Sequence, residues 1–110
     1  MPDAVTPVSD AEFDQTVMAS SRPVLVDFWA TWCAPCRMLA PVIEDLAAEF
    51  GDQVVVRTMD VEANPATQGR LGIMSMPTVM IFKDGQPCDR IVGYKASIKR
   101  ELRARLQELV

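Results

Sequence analysis

Cys33 and Cys36 are separated by two residues in the stretch Phe28-Trp29-Ala30-Thr31-Trp32-Cys33-Ala34-Pro35-Cys36-Arg37. Thiols at that spacing can ligate a metal, act as nucleophiles or exchange electrons as a dithiol/disulfide couple. The 110-residue chain has no histidine and one further cysteine, Cys88. A structural zinc site needs four ligands, and iron–sulfur ligation fails the same count. A papain-type thiol needs a histidine. A redox couple and a pair of incidental buried thiols remain, and the flanking sequence favours the couple. The apolar run Val24-Leu25-Val26-Asp27-Phe28 reads as a strand, and an amphipathic segment follows the cysteines. The pair therefore falls at a helix start, where unpaired N–H groups and the positive end of the helix dipole favour a thiolate.

The elements that position this pair can be read in order. Val5 centres a short first strand. Ser9-Asp10-Ala11-Glu12 has the form of a capping box, opening a helix with Phe13, Val17 and Met18 on its inner face. Ser20, Ser21 and Pro23 end it. The strand at 24–28 is apolar on both faces except for Asp27, a carboxylate where a sheet centre is expected. After the cysteines, Met38, Leu39, Val42, Ile43, Leu46, Ala47 and Phe50 form one helical face, with Pro41 inside it and Gly51 at its end. Val54, Val55, Val56 and Met59 predict a third strand. Asn64-Pro65 reads as an N-cap and first helical residue, beginning a short helix that ends near Gly69 or Gly72.

Strands at 78–82 and 89–92 flank an Asp84-Gly85 hairpin turn, with Cys88 beside the turn at the start of the last strand. Ser97 caps a final helix with Ile98, Leu102, Leu106 and Leu109 inside. Its Lys99, Arg100, Arg103 and Arg105 make the solvated face. The order β-α-β-α-β-α-β-β-α predicts an α/β protein with a mixed five-stranded sheet and four helices on its two faces. Helical crossovers give the parallel strands and the hairpin adds an antiparallel pair. One domain, 1–110, is expected at this length.

Composition narrows the function. The net charge is −4, and no basic stripe with interleaved aromatics suggests nucleic acid. Residues 1–13 carry Asp3, Asp10 and Glu12 without an apolar core, unlike a signal peptide, and no apolar run reaches membrane-spanning length. A cytoplasmic protein is expected. Three cysteines are an odd number, which speaks against an extracellular disulfide framework.

Trp32-Cys33-Ala34-Pro35-Cys36 resembles the W-C-G-P-C active site of the thioredoxin family, and the likeness continues along the chain. Asp27 matches the family's buried aspartate, Trp29 its upstream tryptophan and Pro41 its helix proline. Met76-Pro77-Thr78 matches the loop with the cis proline, Lys83-Asp84-Gly85 the hairpin, and Gly93 the glycine of the substrate groove. The resemblance implies a thioredoxin fold and a protein-disulfide reductase that cycles between a Cys33–Cys36 disulfide and a dithiol. It implies Cys33 as the nucleophile and Cys36, one turn deeper and better shielded, as the resolving thiol. Asp27 is then a buried acid/base with a raised pKa. A substrate patch of Trp32, Ala34, Pro35, Met76, Pro77, Val92, Gly93 and Tyr94 follows, with the Met76 backbone pairing to an extended substrate. No cofactor or metal is needed, since the electrons reside in the sulfurs. The partners implied are protein disulfides and a separate reductase of the thioredoxin-reductase type, with the protein acting as a monomer.

The chain departs from that family in three places. Ala34 replaces the glycine between the cysteines, and Cys88 lies outside the motif. Thr58 stands where the family commonly has a lysine beside the aspartate, while neighbouring Arg57 is expected to face the other way. A disulfide oxidase or isomerase, and a thioredoxin-fold module used only for binding, are the alternative readings.

Overall fold

The computed structural model describes residues 5–110. The first acidic side chain of the N-terminal stretch, Asp3, lies outside them. The strands are β1 (Val5–Pro7), β2 (Val24–Trp29), β3 (Val55–Asp60), β4 (Thr78–Lys83) and β5 (Gln86–Val92). The α-helices are α1 (Ala34–Phe50), α2 (Pro65–Leu71) and α3 (Ile98–Leu109). The expected first helix is a single π-helical stretch, Asp14–Met18, in which the Ala19 N–H donates to the Asp14 carbonyl over five residues. It still buries Phe13 and Val17. No helix among the described residues is long and apolar enough to cross a membrane.

The sheet order is β1-β3-β2-β4-β5. β1 and β2 both pair in parallel with β3, whereas β4 is antiparallel to β2 and to β5. The crossover through α2 was expected to deliver a parallel strand; it does not. Phe28 is in register with both Met59 near the end of β3 and Thr78 at the start of β4. The connection thus leaves and re-enters the sheet at the same end. α2 has seven residues. That is about 10 Å of helix, against about 20 Å for a six-residue strand, so α2 spans only part of the sheet's length.

Strand alternation divides the core. Leu25, Val56, Val79 and Ile81 face α1 and α3, meeting Leu39, Ile43, Leu46, Ile98, Leu102 and Leu106. Val24, Val26, Phe28, Met59, Met80 and Phe82 face the other way, toward Phe13, Val17 and Ile73. Phe13 meets Phe82 edge-on, with ring centroids 5.7 Å apart. The basic face of α3 does more than meet solvent. Lys99 and Arg103 pair with Asp45 and Glu49 of α1, and Arg105 pairs with Asp89 of β5.

Two local expectations change. The hairpin is tight, with Asp84 and Gly85 both at positive φ between the paired residues Lys83 and Gln86. β5 therefore starts at Gln86 rather than near 89. Cys88 lies inside the strand, at a bulge between Pro87 (paired with Phe82) and Asp89 (paired with Ile81). The second change concerns capping: the Asn64 side chain does not cap α2, and Asp10 does so instead.

Candidate active site

β2 ends at Trp29, and after four intervening residues the chain enters α1. Cys33 is the N-cap of that 17-residue helix, in extended conformation, and its Sγ accepts the Cys36 backbone N–H at 3.2 Å. Cys33 and Cys36 are joined as a disulfide with Cα atoms 5.4 Å apart. Pro35 occupies a first-turn position, where its missing N–H leaves no bond unmade. The two cysteines are equally buried, at 3% and 5% exposure, so Cys36 is not the better shielded of the pair in the disulfide form. The geometry that distinguishes them is the helix end. Only Cys33 sits at the cap, with a backbone donor directed at its sulfur.

Beside the disulfide is a half-open cavity of about 320 Å³, bounded by Asp27, Cys33, Cys36, Arg37, Ala40 and Thr58 among others. Alternation puts Asp27 on the Leu25 face of β2, under α1. The residue is 4% exposed, and its Oδ1 accepts no hydrogen bond among the described residues. Burial in this apolar setting pushes its carboxyl up to about 7, from an ordinary 3.8. Desolvation acts alone here, with no cation against the carboxyl. Thr58 is the residue in register with Asp27 across the β2–β3 pairing, and Arg57 is in register with Val26 on the opposite face. The expected lysine position is therefore located correctly, and it holds a neutral hydroxyl.

The residues expected to form the substrate patch come from segments far apart in sequence. The Met76–Pro77 peptide bond is cis, as the resemblance implies. The Gly93 N–H donates to the Pro77 carbonyl at 2.8 Å, and Val92 is in register with Thr78. Those contacts bring Pro77, Val92 and Gly93 together. Met76 is half-buried against the apolar cluster that includes both cysteines. Trp32 is 67% exposed, Val92 also projects to solvent, and Ala34 and Pro35 are exposed beside the disulfide. Tyr94 instead packs, half-buried, against the core under α1 and α3.

Sequence reasoning passed over a set of polar ties on the cysteine loop. Arg37 donates to the Thr31 carbonyl at 3.1 Å, and the Thr31 hydroxyl donates to Glu62 at 2.9 Å. The Val61 N–H donates to the Trp29 carbonyl at 3.0 Å, so the segment after β3 holds the one after β2. None of these pairs is a local motif, and no sequence signal marks them. No group of three or more possible metal ligands occurs among the described residues.

The comparisons with known proteins agree with this geometry. The thioredoxin family model matches residues 4–108. Thioredoxin of Mycolicibacterium smegmatis is 54% identical over 103 residues, covering 90% of this chain and 92% of that protein. Thioredoxin 1 of Synechococcus elongatus is 55% identical over 86 residues, covering 78% and 80%. The solved thioredoxin of Malassezia sympodialis has a TM-score of 0.83 at 34% identity, covering 96% of this chain and 89% of that one. The chain belongs to the thioredoxin family, and with its cysteine pair joined at a helix N-terminus it is a thiol–disulfide oxidoreductase.

Proposed function

We propose that this protein works as one domain, a protein-disulfide reductase in which Cys33 attacks and Cys36 resolves. The observation that carries the reading is the cap geometry. The Cys33 sulfur accepts a helix N–H, an arrangement that stabilises a thiolate there and not at Cys36. In the reduced protein, the Cys33 thiolate attacks one sulfur of a substrate disulfide and the other sulfur leaves as a thiolate. The Cys36 thiol then gives its proton to the Asp27 carboxylate and attacks Cys33 Sγ, expelling the second substrate sulfur. The substrate gains two electrons and the protein becomes the Cys33–Cys36 disulfide. A carboxyl that titrates near 7 suits that transfer, being available in both protonation states at neutral pH.

Trp32, Ala34, Pro35, Met76, Pro77, Val92 and Gly93 form the substrate-binding rim in this reading. The exposure of Trp32, next to Cys33 in the chain, and of Val92, beside the cis-proline loop, supports it. Among the described residues the Met76 backbone makes no hydrogen bond to other backbone groups, leaving it available to an extended substrate. The electron donor is a separate reductase of the thioredoxin-reductase type. The working form is a monomer in the cytoplasm, where thiols are kept reduced.

The test is thiol-dependent reduction of a model protein disulfide. Wild type is expected to catalyse it, Cys33→Ser to abolish it, and Cys36→Ser to accumulate a mixed disulfide through Cys33. An inactive wild type overturns the reading. A wild-type redox potential in the oxidising range would favour an oxidase instead, each 30 mV being ~1.4 kcal/mol for this couple.

A further inference from the structure

Two side-chain oxygens bordering the cavity beside the disulfide lack partners among the described residues. One is Asp27 Oδ1, on a residue more than nine-tenths buried. The other is the hydroxyl of Thr58, which lines the same cavity. The remaining hydroxyl of the lining, that of Thr31, is already committed to Glu62. Asp27 and Thr58 are register partners on adjacent strands. Their side chains therefore leave the same face of the sheet about 5 Å apart. They make no direct hydrogen bond, and the space of about 320 Å³ between sheet and helix is ample for water.

The chemistry of a hydroxyl suits this place. A carboxylate only accepts hydrogen bonds, a protonated carboxyl also donates one, and a hydroxyl can answer either through a bridging water. An ammonium group at the same position could only donate, and would favour the charged carboxylate alone. The other groups around Asp27 are Trp29, whose indole can donate but not accept, and residues without a free hydroxyl. Val79 of β4 is in register with it, and Ala40 of α1 lines the cavity. Arg37, the other charged side chain of the lining, is tied to the Thr31 carbonyl.

We infer that Thr58 is a positioning residue for the resolving step, its hydroxyl anchoring the water through which the Cys36 thiol passes its proton to the Asp27 carboxylate. The proton leaves Cys36 Sγ for the water, and the water gives one to Asp27. The Cys36 thiolate then bonds to Cys33 Sγ as the substrate sulfur departs. This rests on the proposed role of Asp27 as proton acceptor.

Single-turnover kinetics of the reduced protein test it, with attack and resolution followed separately. The variants are Thr58→Val, which keeps the branched shape without the hydroxyl, Thr58→Ser, which keeps the hydroxyl, and Asp27→Asn. Thr58→Val is expected to slow resolution about three- to tenfold, the loss of one water-mediated hydrogen bond, and to move its pH midpoint upward. Attack by Cys33 stays at the wild-type rate, and Thr58→Ser restores resolution. Wild-type resolution and pH profile in Thr58→Val, or a Thr58→Ser variant as slow as Thr58→Val, overturns the inference. If Asp27→Asn slows resolution and Thr58→Val does not, only the role of Thr58 is lost. If Asp27→Asn has no effect, the role of Asp27 falls as well.

Discussion

The carboxylate of Asp10 accepts the backbone N–H of Thr67 at 2.8 Å and that of Ala66 at 3.1 Å, capping a helix that begins more than fifty residues later. Asn64 completes the clasp by accepting the Asp10 N–H at 2.7 Å and donating to the Asp60 carbonyl at 2.9 Å. The hydrogen bond from Thr67, ahead of smaller contributions, holds the Asp10 carboxyl below its usual range despite some desolvation. Its folded pKa is lower than its unfolded one. The clasp therefore stabilises the fold above the ordinary carboxylate pKa and is lost as pH falls through the lowered value. Asp10→Ala is expected to lower the melting temperature at pH 7. It should also speed hydrogen exchange at Ala66 and Thr67 ahead of the sheet amides.

Asp27 has the opposite sign. Its unfolded carboxyl loses a proton near 3.8 while the folded one holds it to about 7. Across that interval the unfolded state binds fewer protons, so stability falls as pH rises and levels off above about 7. The interval corresponds to about 4 kcal/mol at most. Asp27→Asn is expected to flatten this profile and to leave the oxidised protein more stable than wild type at pH 8. Urea unfolding of both proteins at pH 5 and pH 8 is the measurement. Equal slopes would contradict the burial argument.

A cation placed beside Asp27 should reverse part of that shift. Thr58 is its register partner, so Thr58→Lys brings an ammonium group to the same cavity wall. The Asp27 pKa is expected to drop by about 1–3, as for a carboxylate with an opposite charge close by. Carboxyl-carbon NMR titration of the oxidised protein reads it directly. An unchanged value would mean that the lysine turns out to solvent.

Cys88 is exposed and free, at the bulge of β5 and outside the cavity that joins the other two cysteines. Alkylation of the oxidised protein is expected to label Cys88 alone. Cys88→Ser should remove that label, and any disulfide-linked dimer on a non-reducing gel, without changing the rate of model disulfide reduction.

The fold was largely legible because its signals are local. Helical periodicity, the apolar run before Cys33, Pro41, Gly51 and Asp84-Gly85 each mark an element from its own residues. All five strands and the three α-helices follow in order. The first helix is a π-helical stretch that still buries Phe13 and Val17, and the i,i+4 spacing of those residues does not distinguish it from an α-helix. In the capping box Glu12 does reach back to the Ser9 N–H, at 3.2 Å, but the Ser9 hydroxyl turns to the Glu12 carboxylate. A helix between strands suggests a parallel crossover, whereas β4 runs antiparallel to β2, a direction that only the pairing in the sheet decides.

By itself the sequence determined the reaction type. Two cysteines at a strand-to-helix junction, without histidine, favour a redox couple over incidental buried thiols, and the family resemblance implied protein-disulfide exchange. The resemblance placed Thr58 opposite Asp27, by counting back from Asn64-Pro65 to the family's lysine position, and the β2–β3 register bears that out. The tertiary structure alone decided that Asp27 Oδ1 has no hydrogen-bond partner among the described residues, that Asp27 shares a cavity with Cys36 and Thr58, and that Asp10 caps α2. It also decided that the Gly93 N–H meets the Pro77 carbonyl. These are distances between residues remote in sequence, and desolvation depends on everything packed around a group. No spacing along the chain encodes them.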